Sequence, residues 1–253
     1  MRRNREYDPF ASLYAAHWGD EFHAEIIPVL DRLLLKHLPR RAEILDLCCG
    51  DGRVTKILAR RGFRMTGIDG SERMLSFAKQ ALPKTEFLLA DARNFRLAPR
   101  FDAVVSVFDS LNHVLSIDDL ARVFRNVFAC LKPEGAFVFD LNREEAYTDI
   151  WVRPLPIVTP KVVAISLGSY ESRDRLATCD ITMFQHGGGA WHRSDFRLKQ
   201  RCHDAAEVLA ALSRAGFESE VFDAARDLGM QGEIGFGRDC FIARKPVGPE
   251  KNL

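Results

Sequence analysis

The sequence predicts an α/β protein: a parallel sheet with helices on both faces, followed by a small antiparallel lobe. Two observations predict it. Up to residue 142, short continuous apolar runs alternate with amphipathic helical stretches, the pattern of strand–helix–strand crossovers. After residue 150 the apolar period drops to two and Pro and Gly punctuate the chain, the pattern of antiparallel strands and tight turns.

The elements follow in order. Residues 21–38 carry apolar side chains at helical spacing, and Pro39 closes that helix. Residues 42–49, "AEILDLCC", form a continuous apolar run, as a strand covered on both faces would. A helix over 53–62 stops at Gly62. A second strand spans 63–70, and a helix over 71–82 starts from Ser71 as N-cap, with Pro83 beyond its end. Strands are expected over 85–95, 101–110 and 135–142, with a helix over 117–131. "WVRPLPIVTP" excludes a helix or a central strand. Three alternating stretches follow, with "HGGG" (186–189) as a hairpin turn. A helix over 204–217 and two final strands complete the chain.

Composition narrows the function classes. The 253 residues allow one large domain or a core with an inserted lobe. With 36 basic and 35 acidic residues the net charge is +1, which argues against a dedicated nucleic-acid binder. No apolar run reaches membrane-spanning length, and the basic N-terminus lacks the apolar centre of a signal peptide. The expected compartment is the cytoplasm. The six cysteines (48, 49, 130, 179, 202, 240) lack the spacing of a disulfide framework, and most sit in apolar runs.

In a parallel sheet the ligand sits beyond the carboxyl ends of the strands. The first such end is "ILDLCCGDGRVT" (44–55). A metal site there is disfavoured, because adjacent cysteines chelate poorly together and no Cys-x-x-Cys occurs. A phosphate-cradling loop would need Gly-Lys-Ser/Thr. The dinucleotide pattern Gly-x-Gly-x-x-Gly fails at its last position, where Thr55 stands. What remains is a tight turn. The helix from Arg53 offers unpaired N–H groups to a carboxylate, and Asp46 offers a negative charge to an ammonium. Asp69 ends the second strand, 17 residues after Gly52, where it can accept ribose hydroxyls. Asp91 ends the third strand, where it can accept from an exocyclic amine, with the Ala92 N–H beside it. Each carboxylate alone reads as a cap or turn residue. Together, in order along the sheet, they match the amino-acid, ribose and adenine parts of S-adenosylmethionine.

The runs "ILDLCCGDGRVT", "GIDGSERMLSFAK", "FLLADARNF", "FDAVVSVFDSLNHV" and "LKPEGAFVFDLN" closely resemble the class I S-adenosylmethionine-dependent methyltransferases, over roughly residues 40–142. The antiparallel insert, the "DAAEVLAALSRAGF" helix and the closing "CFIARKP" strand are similar to the branch that holds sugar-amine N,N-dimethyltransferases and glycine N-methyltransferase-like enzymes. The resemblance implies a Rossmann-like, seven-stranded, mostly parallel sheet. It divides the chain into an N-terminal helical lid (1–40), a core (41–142 and 203–246) and an acceptor-side insert (143–202). It implies S-adenosylmethionine as cofactor. Asp46, Gly50 and Gly52 would line the methionine end, with Cys49, Arg53 and Gly70 in the same set. Asp69 would hold the ribose and Met74 would pack near the adenine, whose edge Asp91 and Ala92 would read. Phe108 would pack against the cofactor. Cys48 departs from the pattern, standing where the family usually has its first glycine, and it narrows the backbone angles allowed there.

The lid sequence "YDPFASLYAAHW" places Tyr14 and Trp18 on one helix face, where they could enclose a cationic donor or simply pack on the core. His113, in "SVFDSLNHV", is the candidate general base or acceptor-orienting residue; the alternative is a histidine bonded within its turn. Asn112 and Trp191 join Trp18 as candidate substrate contacts. The expected activity is metal-independent methyl transfer to a small molecule, with an amine among the options. The alternatives are a methyltransferase acting on protein or tRNA, and a non-catalytic S-adenosylmethionine-binding module. Membrane and nucleic acid are not expected partners, and a homodimer is an option because an antiparallel insert can pair with a copy of itself.

Overall fold

The structure, a computed structural model, describes residue 8, residues 10–17 and residues 20–247. Trp18 lies outside the described residues.

The parallel core is built from β1 (Glu43–Leu47), β2 (Arg64–Asp69), β3 (Glu86–Leu89), β4 (Phe101–Ser106) and β5 (Leu131–Asn142). It is completed by β10 (Glu218–Asp223) and β11 (Arg238–Arg244). The order across the sheet is β10-β11-β5-β4-β1-β2-β3. β11 runs antiparallel to β5 and to β10; the remaining pairs are parallel. The fold is therefore the Rossmann-like, seven-stranded sheet expected from the sequence. Strand order reverses between β1 and β4, whose carboxyl ends part and open a crevice.

The helices that cover the sheet are α2 (Asp20–Leu33), α3 (Arg53–Arg60), α4 (Glu72–Ala81), α5 (Ile117–Cys130) and α6 (Ala205–Arg214). The apolar stripe of α5 packs with that of α6 under one face, around the Phe137, Phe139 and Phe241 rings. On the other face, α2 buries Phe22, Ile26 and Leu30 against Ile44, Val105, Val138 and Ile242. So the expected lid segment holds two different elements. α2 is a core helix, and only α1 (Ala11–His17) leans toward the second lobe.

That lobe is an antiparallel sheet of β6 (Leu155–Val158), β7 (Val162–Glu171), β8 (Leu176–Gly187) and β9 (Ala190–Arg201), in that order. Pro156 lies in the edge strand β6, where a missing N–H is tolerated. Gly188 and Gly189 form the two-residue turn between β8 and β9, both at positive φ, as the twist of a tight hairpin requires. The inner face carries Ala164, Ile181, Met183 and Leu198 onto Phe10 and Leu13 of the α1 segment. A π-helical turn, Ala146–Trp151, leads from β5 into the lobe. Its main chain lies hard against β7: a Cβ on Gly168 would stand 1.8 Å from the Trp151 carbonyl oxygen. Trp151 Nε1 then donates to the Thr178 carbonyl at 2.9 Å.

Gly168→Ala should therefore destabilise the protein by about 1–3 kcal/mol or more, the scale of overpacking a tight contact. Gly188→Ala meets no atom within 4 Å and carries only the strain of φ +59°, about 1–2 kcal/mol. Urea midpoints of the two variants test the ranking.

Candidate active site

The crevice at the strand-order reversal is walled by the β1–α3 loop on one side and the chain after β4 on the other. Tyr14, His23, Asp46, Cys48, Gly50, Asp51, Arg53, Phe108 and Ser110 line a narrow cavity there. The β1–α3 loop turns through left-handed residues at Cys48 (φ 62°), Gly50 (φ 55°) and Gly52 (φ 81°). Gly52 is required twice over, since a Cβ there would meet the Ala78 methyl at 3.0 Å. Cys48 adopts the glycine conformation its position demands, and packs its side chain at the edge of the core beneath the sheet. Cys49 turns the other way, into a cluster with Leu75, Ala78 and Phe87. The two thiols thus face different surroundings, and burial pushes both above their ordinary range.

Three carboxylates stand at the ends of β1, β2 and β3, as the sequence placed them. Asp46 is 2% exposed and accepts from Thr55 Oγ1 at 2.5 Å. Burial pushes its carboxyl up to about 7, against the pull of that hydrogen bond. Thr55, the residue that breaks the dinucleotide pattern, is here the partner of Asp46. Asp69 takes the Gly50 N–H at 2.9 Å and the Ser71 N–H at 2.8 Å. It ties the glycine turn to the start of α4. Burial raises its pKa too, with those two N–H groups pulling the other way. Gly70 lies between these partners, and Met74, buried, sets its methyl near Gly50. Asp91 is gripped by Arg93, Nε to Oδ1 at 2.8 Å and Nη2 to Oδ2 at 2.5 Å. Although burial works against it, this guanidinium holds Asp91 below the usual carboxylate range. Ala92 is buried beside it, its carbonyl taken by Asn126 at 3.1 Å. Neighbouring strands are about 4.8 Å apart, so the three carboxylates span roughly two strand spacings. An extended ligand with an ammonium at one end and a polar ring at the other fits that row.

The opposite wall is shaped by one buried carboxylate. Asp140 in β5 accepts the N–H groups of Phe108 (2.7 Å) and Asp109 (2.8 Å), two consecutive left-handed residues at φ 65° and 47°. Phe108 then stacks on Phe22, with centroids 4.3 Å apart, and faces Tyr14 at 6.0 Å. Tyr14 reaches in from α1, its phenol pushed up by burial and by Asp51 and Asp109. Arg53 Nη2 donates to the Ala15 carbonyl at 2.5 Å, and Ser71 Oγ donates to Asp8 at 2.5 Å. These bonds draw the α1 segment over the crevice.

A methyltransferase-domain model matches residues 44–135. Over 186 residues, 72% of this chain and 75% of its relative, the sequence is 34% identical to YqeM of Bacillus subtilis (strain 168), a protein assigned to the methyltransferases. The chain belongs to the S-adenosylmethionine-dependent methyltransferases. It is also 29% identical, over 81% of its length and 87% of the relative's, to dTDP-3-amino-3,4,6-trideoxy-alpha-D-glucopyranose N,N-dimethyltransferase of Streptomyces venezuelae. Its fold is that of the sugar N-methyltransferase KedS8 from a Streptoalloteichus species (TM-score 0.79, 22% identity, 93% of this chain and 92% of that one). S-adenosylmethionine is accordingly the cofactor, and the row of carboxylates has the chemistry to receive it.

The acceptor side of this methyltransferase departs from expectation in three places. Asn112 is fully buried: its amide donates to the Arg201 carbonyl at 2.8 Å, and its oxygen takes the Asn142 N–H at 2.9 Å. It splices the core to the insert and has no face left for a substrate. Trp191 stands next to the hairpin tip, half exposed and edge-on to His186. By strand alternation it points away from the inner face that carries Leu198 and Gln200. His113 has both ring nitrogens bonded, Nδ1 to the Lys199 carbonyl at 2.8 Å and Nε2 to the Gln200 amide at 3.0 Å. The sequence reading did not single out His23 on the cavity wall or the buried Tyr147, Gln200 and Arg238; Asp51, Asp109 and Ser110 fall within the strand-end stretches 50–52 and 108–113 that it marked, without a role for each. The arginine that heads the "RDCFIAR" strand, next to its apolar centre, was the available sign of Arg238.

Because the folded pKa of Asp46 lies above its unfolded value, the native state binds more protons between about pH 4 and 7. The stability from protonated Asp46 is therefore lost as pH rises through 7. Asp46→Asn, which keeps an acceptor for Thr55, should match the wild type near pH 4 and gain on it progressively as pH rises toward 7. At pH 8.5 it should exceed it by at least about 1 kcal/mol, roughly 2–4 °C in Tm. Ligand-free thermal melts at the two pH values decide this. At Cys48, replacement by Gly should stay within about 1 kcal/mol of wild type, whereas β-branched Val at φ 62° should lose about 2 kcal/mol or more in urea titration.

Proposed function

We propose that the acceptor is a small-molecule amine and that the insert, residues 143–202, caps it. The observation that carries this reading is the charge balance behind the cavity wall. Asp140 and Asp109, both largely buried, share one arginine: Arg238 donates to Asp140 and, at 3.1 Å, to Asp109. Its Nε is taken by the Ile234 carbonyl at 2.8 Å. Two carboxylates against one guanidinium leave a net negative charge near the methyl-transfer end, and the guanidinium is committed to them. On the cavity wall itself, Arg53 is held by Asp51 at 2.8 Å and by Ala15. A cationic or polar amine is favoured in such a field, and an anionic acid finds its cations already paired. Relatives named as amino-sugar N,N-dimethyltransferases support the reading. Trans-aconitate 2-methyltransferase, 32% identical over 47% of this chain in Delftia acidovorans, acts by its name on an acid.

When bound, S-adenosylmethionine would supply a sulfonium methyl group to the lone pair of the neutral amine; the carbon–sulfur bond would break to give S-adenosylhomocysteine, and the resulting ammonium would shed its proton to water. The chain's part is alignment and exclusion of water. In this reading Asp46 and the start of α3 receive the amino-acid end, Asp69 the ribose, and Asp91 with Ala92 the adenine edge, for which Arg93 must share its carboxylate. Tyr14 and Phe108 close the methyl end. We place the enzyme in the cytoplasm, with free metabolites as its substrates; 36 basic against 35 acidic residues make no field for nucleic acid. Pairing into a homodimer across the antiparallel sheet belongs to the same reading, supported by the exposed Val158, Ile165 and Leu167 on its outward face.

A panel of amines, carboxylic acids and hydroxylated metabolites, read by S-adenosylhomocysteine release, should show turnover confined to amines; turnover only on acids would overturn the acceptor class. Asp69→Ala should weaken cofactor binding at least tenfold by calorimetry, about 1.4 kcal/mol, and unchanged affinity would remove it from the ribose site.

A further inference from the structure

Gln200, on the inner face of β9, is 1% exposed and makes three side-chain hydrogen bonds. Its Nε2 donates to Asp109 Oδ2 at 2.6 Å and meets His113 Nε2 at 3.0 Å. Its Oε1 accepts from the Tyr147 hydroxyl at 2.8 Å, and Tyr147 is fully buried. The orientation of this carboxamide is determined by chemistry. A carboxylate paired with Arg238 only accepts, so the nitrogen of Gln200 must face Asp109. The same nitrogen then presents its second N–H to His113 Nε2, which must be a bare acceptor. The proton of a neutral His113 therefore sits on Nδ1, and Nδ1 faces the Lys199 carbonyl, an acceptor only, at 2.8 Å. Two independent ends of the ring give the same tautomer.

We propose that Gln200 is a positioning residue for methyl transfer: it locks His113 as the neutral Nδ1–H tautomer, so that His113 holds the insert in place beside the methyl-transfer end and does not take the acceptor's proton. The proposal rests on the methyl-transfer site described above, but not on the acceptor being an amine. The Nε2 lone pair of His113 is committed to an amide that is itself pinned at both other ends, by Asp109 and Tyr147. For His113 to act as a base, the ring would have to expel a donor that has no other acceptor within this network. The charged and titratable groups around the pair are Asp109 and, behind it, Arg238 and Asp140, with Tyr147 on the insert side. The lock spans the molecule: Asp109 follows β4, His113 precedes α5, Tyr147 lies in the π-helical turn and Gln200 in the insert. Gln200 thereby fixes where the insert stands relative to the methyl-transfer end.

The test is a long-range 1H–15N correlation spectrum of the full-length, ligand-free protein labelled at histidine. His113 is assigned by the signal lost in His113→Gln. His203 is an internal reference of the opposite tautomer, since its Nε2 faces the Val114 carbonyl at 2.8 Å. At pH 7–8 the expected pattern is a protonated Nδ1 and a bare Nε2 at His113. A protonated Nε2 or a cationic ring there would overturn the proposal with no variant needed. In Gln200→Met, which keeps the volume and removes the amide, His113 should move to the Nε2–H or an exchange-averaged pattern while His203 stays unchanged. Methyl-transfer kcat should fall tenfold or more, with KM for S-adenosylmethionine within twofold. An unaltered His113 spectrum in that variant, or a KM effect without a kcat effect, would also overturn it. Loss of turnover on amines in the acceptor panel leaves these spectra untouched, so the two readings fail separately.

Discussion

A single buried carboxylate, Asp140, organises the wall of the crevice that follows β4. It holds two consecutive main-chain N–H groups after β4 and so imposes left-handed angles on Phe108 and Asp109, which neither residue would adopt unaided. Phe108 is thereby thrown onto Phe22 and Tyr14. Asp109 is turned toward Arg238 and the insert. Arg238 comes from the antiparallel strand β11, so the pairing of β11 with β5 and the shape of the cavity wall depend on the same bonds. Burying such a cluster without its partners is costly: removing one member of a buried ion pair typically loses about 3–5 kcal/mol. Burial and the neighbouring Asp109 charge push the Asp140 carboxyl up, while the arginine and the Asp109 N–H pull the other way.

The facing wall uses the main chain where this one uses charge. Cys48, Gly50 and Gly52 alternate left-handed angles through the turn, and Asp69 reaches across from β2 to fix the Gly50 N–H. The carboxylate expected to receive a ligand's hydroxyls is thus also the clamp that holds the loop lining the ligand. Asp46 plays a comparable double part through Thr55, which secures its carboxyl while burial makes the charge expensive. A cationic group bound beside Asp46 would relieve that expense. A pocket that destabilises its own empty, ionised form binds a complementary charge more tightly for it.

The strands of the core were legible because a strand buried on both faces is mostly apolar, as the centres of β1 and β4 are. The sheet order then located the crevice, and the row Asp46, Asp69, Asp91 could be read from the strand ends alone. What sequence could not show was which partner each polar group meets. Helical spacing in α2 reveals an apolar face but not the surface it covers, so a core helix was grouped with the lid. Asn112, just beyond a strand, looks the same in sequence whether it binds a substrate or two distant carbonyls, and here the carbonyls are 30 and 89 residues away. Thr55 counted only as a missing glycine until its hydroxyl was seen on Asp46. Trp191 was placed near the acceptor by its hairpin, and strand alternation sends it to the outer face.

The two lobes meet through different physics at their two contacts. Against α1 the insert offers mainly an apolar face, Ala164, Ile181, Met183 and Leu198, with one directional bond, Gln185 Nε2 to Ser12 Oγ at 3.1 Å. Near the core it offers main-chain carbonyls to Asn112 and His113, and the carboxamide of Gln200 to Asp109. Hydrogen bonds of this kind are directional, and buried ones are expensive to leave unmade, so they fix register where the apolar contact only adds stability. The α1 segment is thus tied to the core by bonds at Ala15 and Asp8 and to the insert by apolar packing and the Ser12 bond, whereas the Gln200 network joins insert to core through Asp109, His113 and Tyr147.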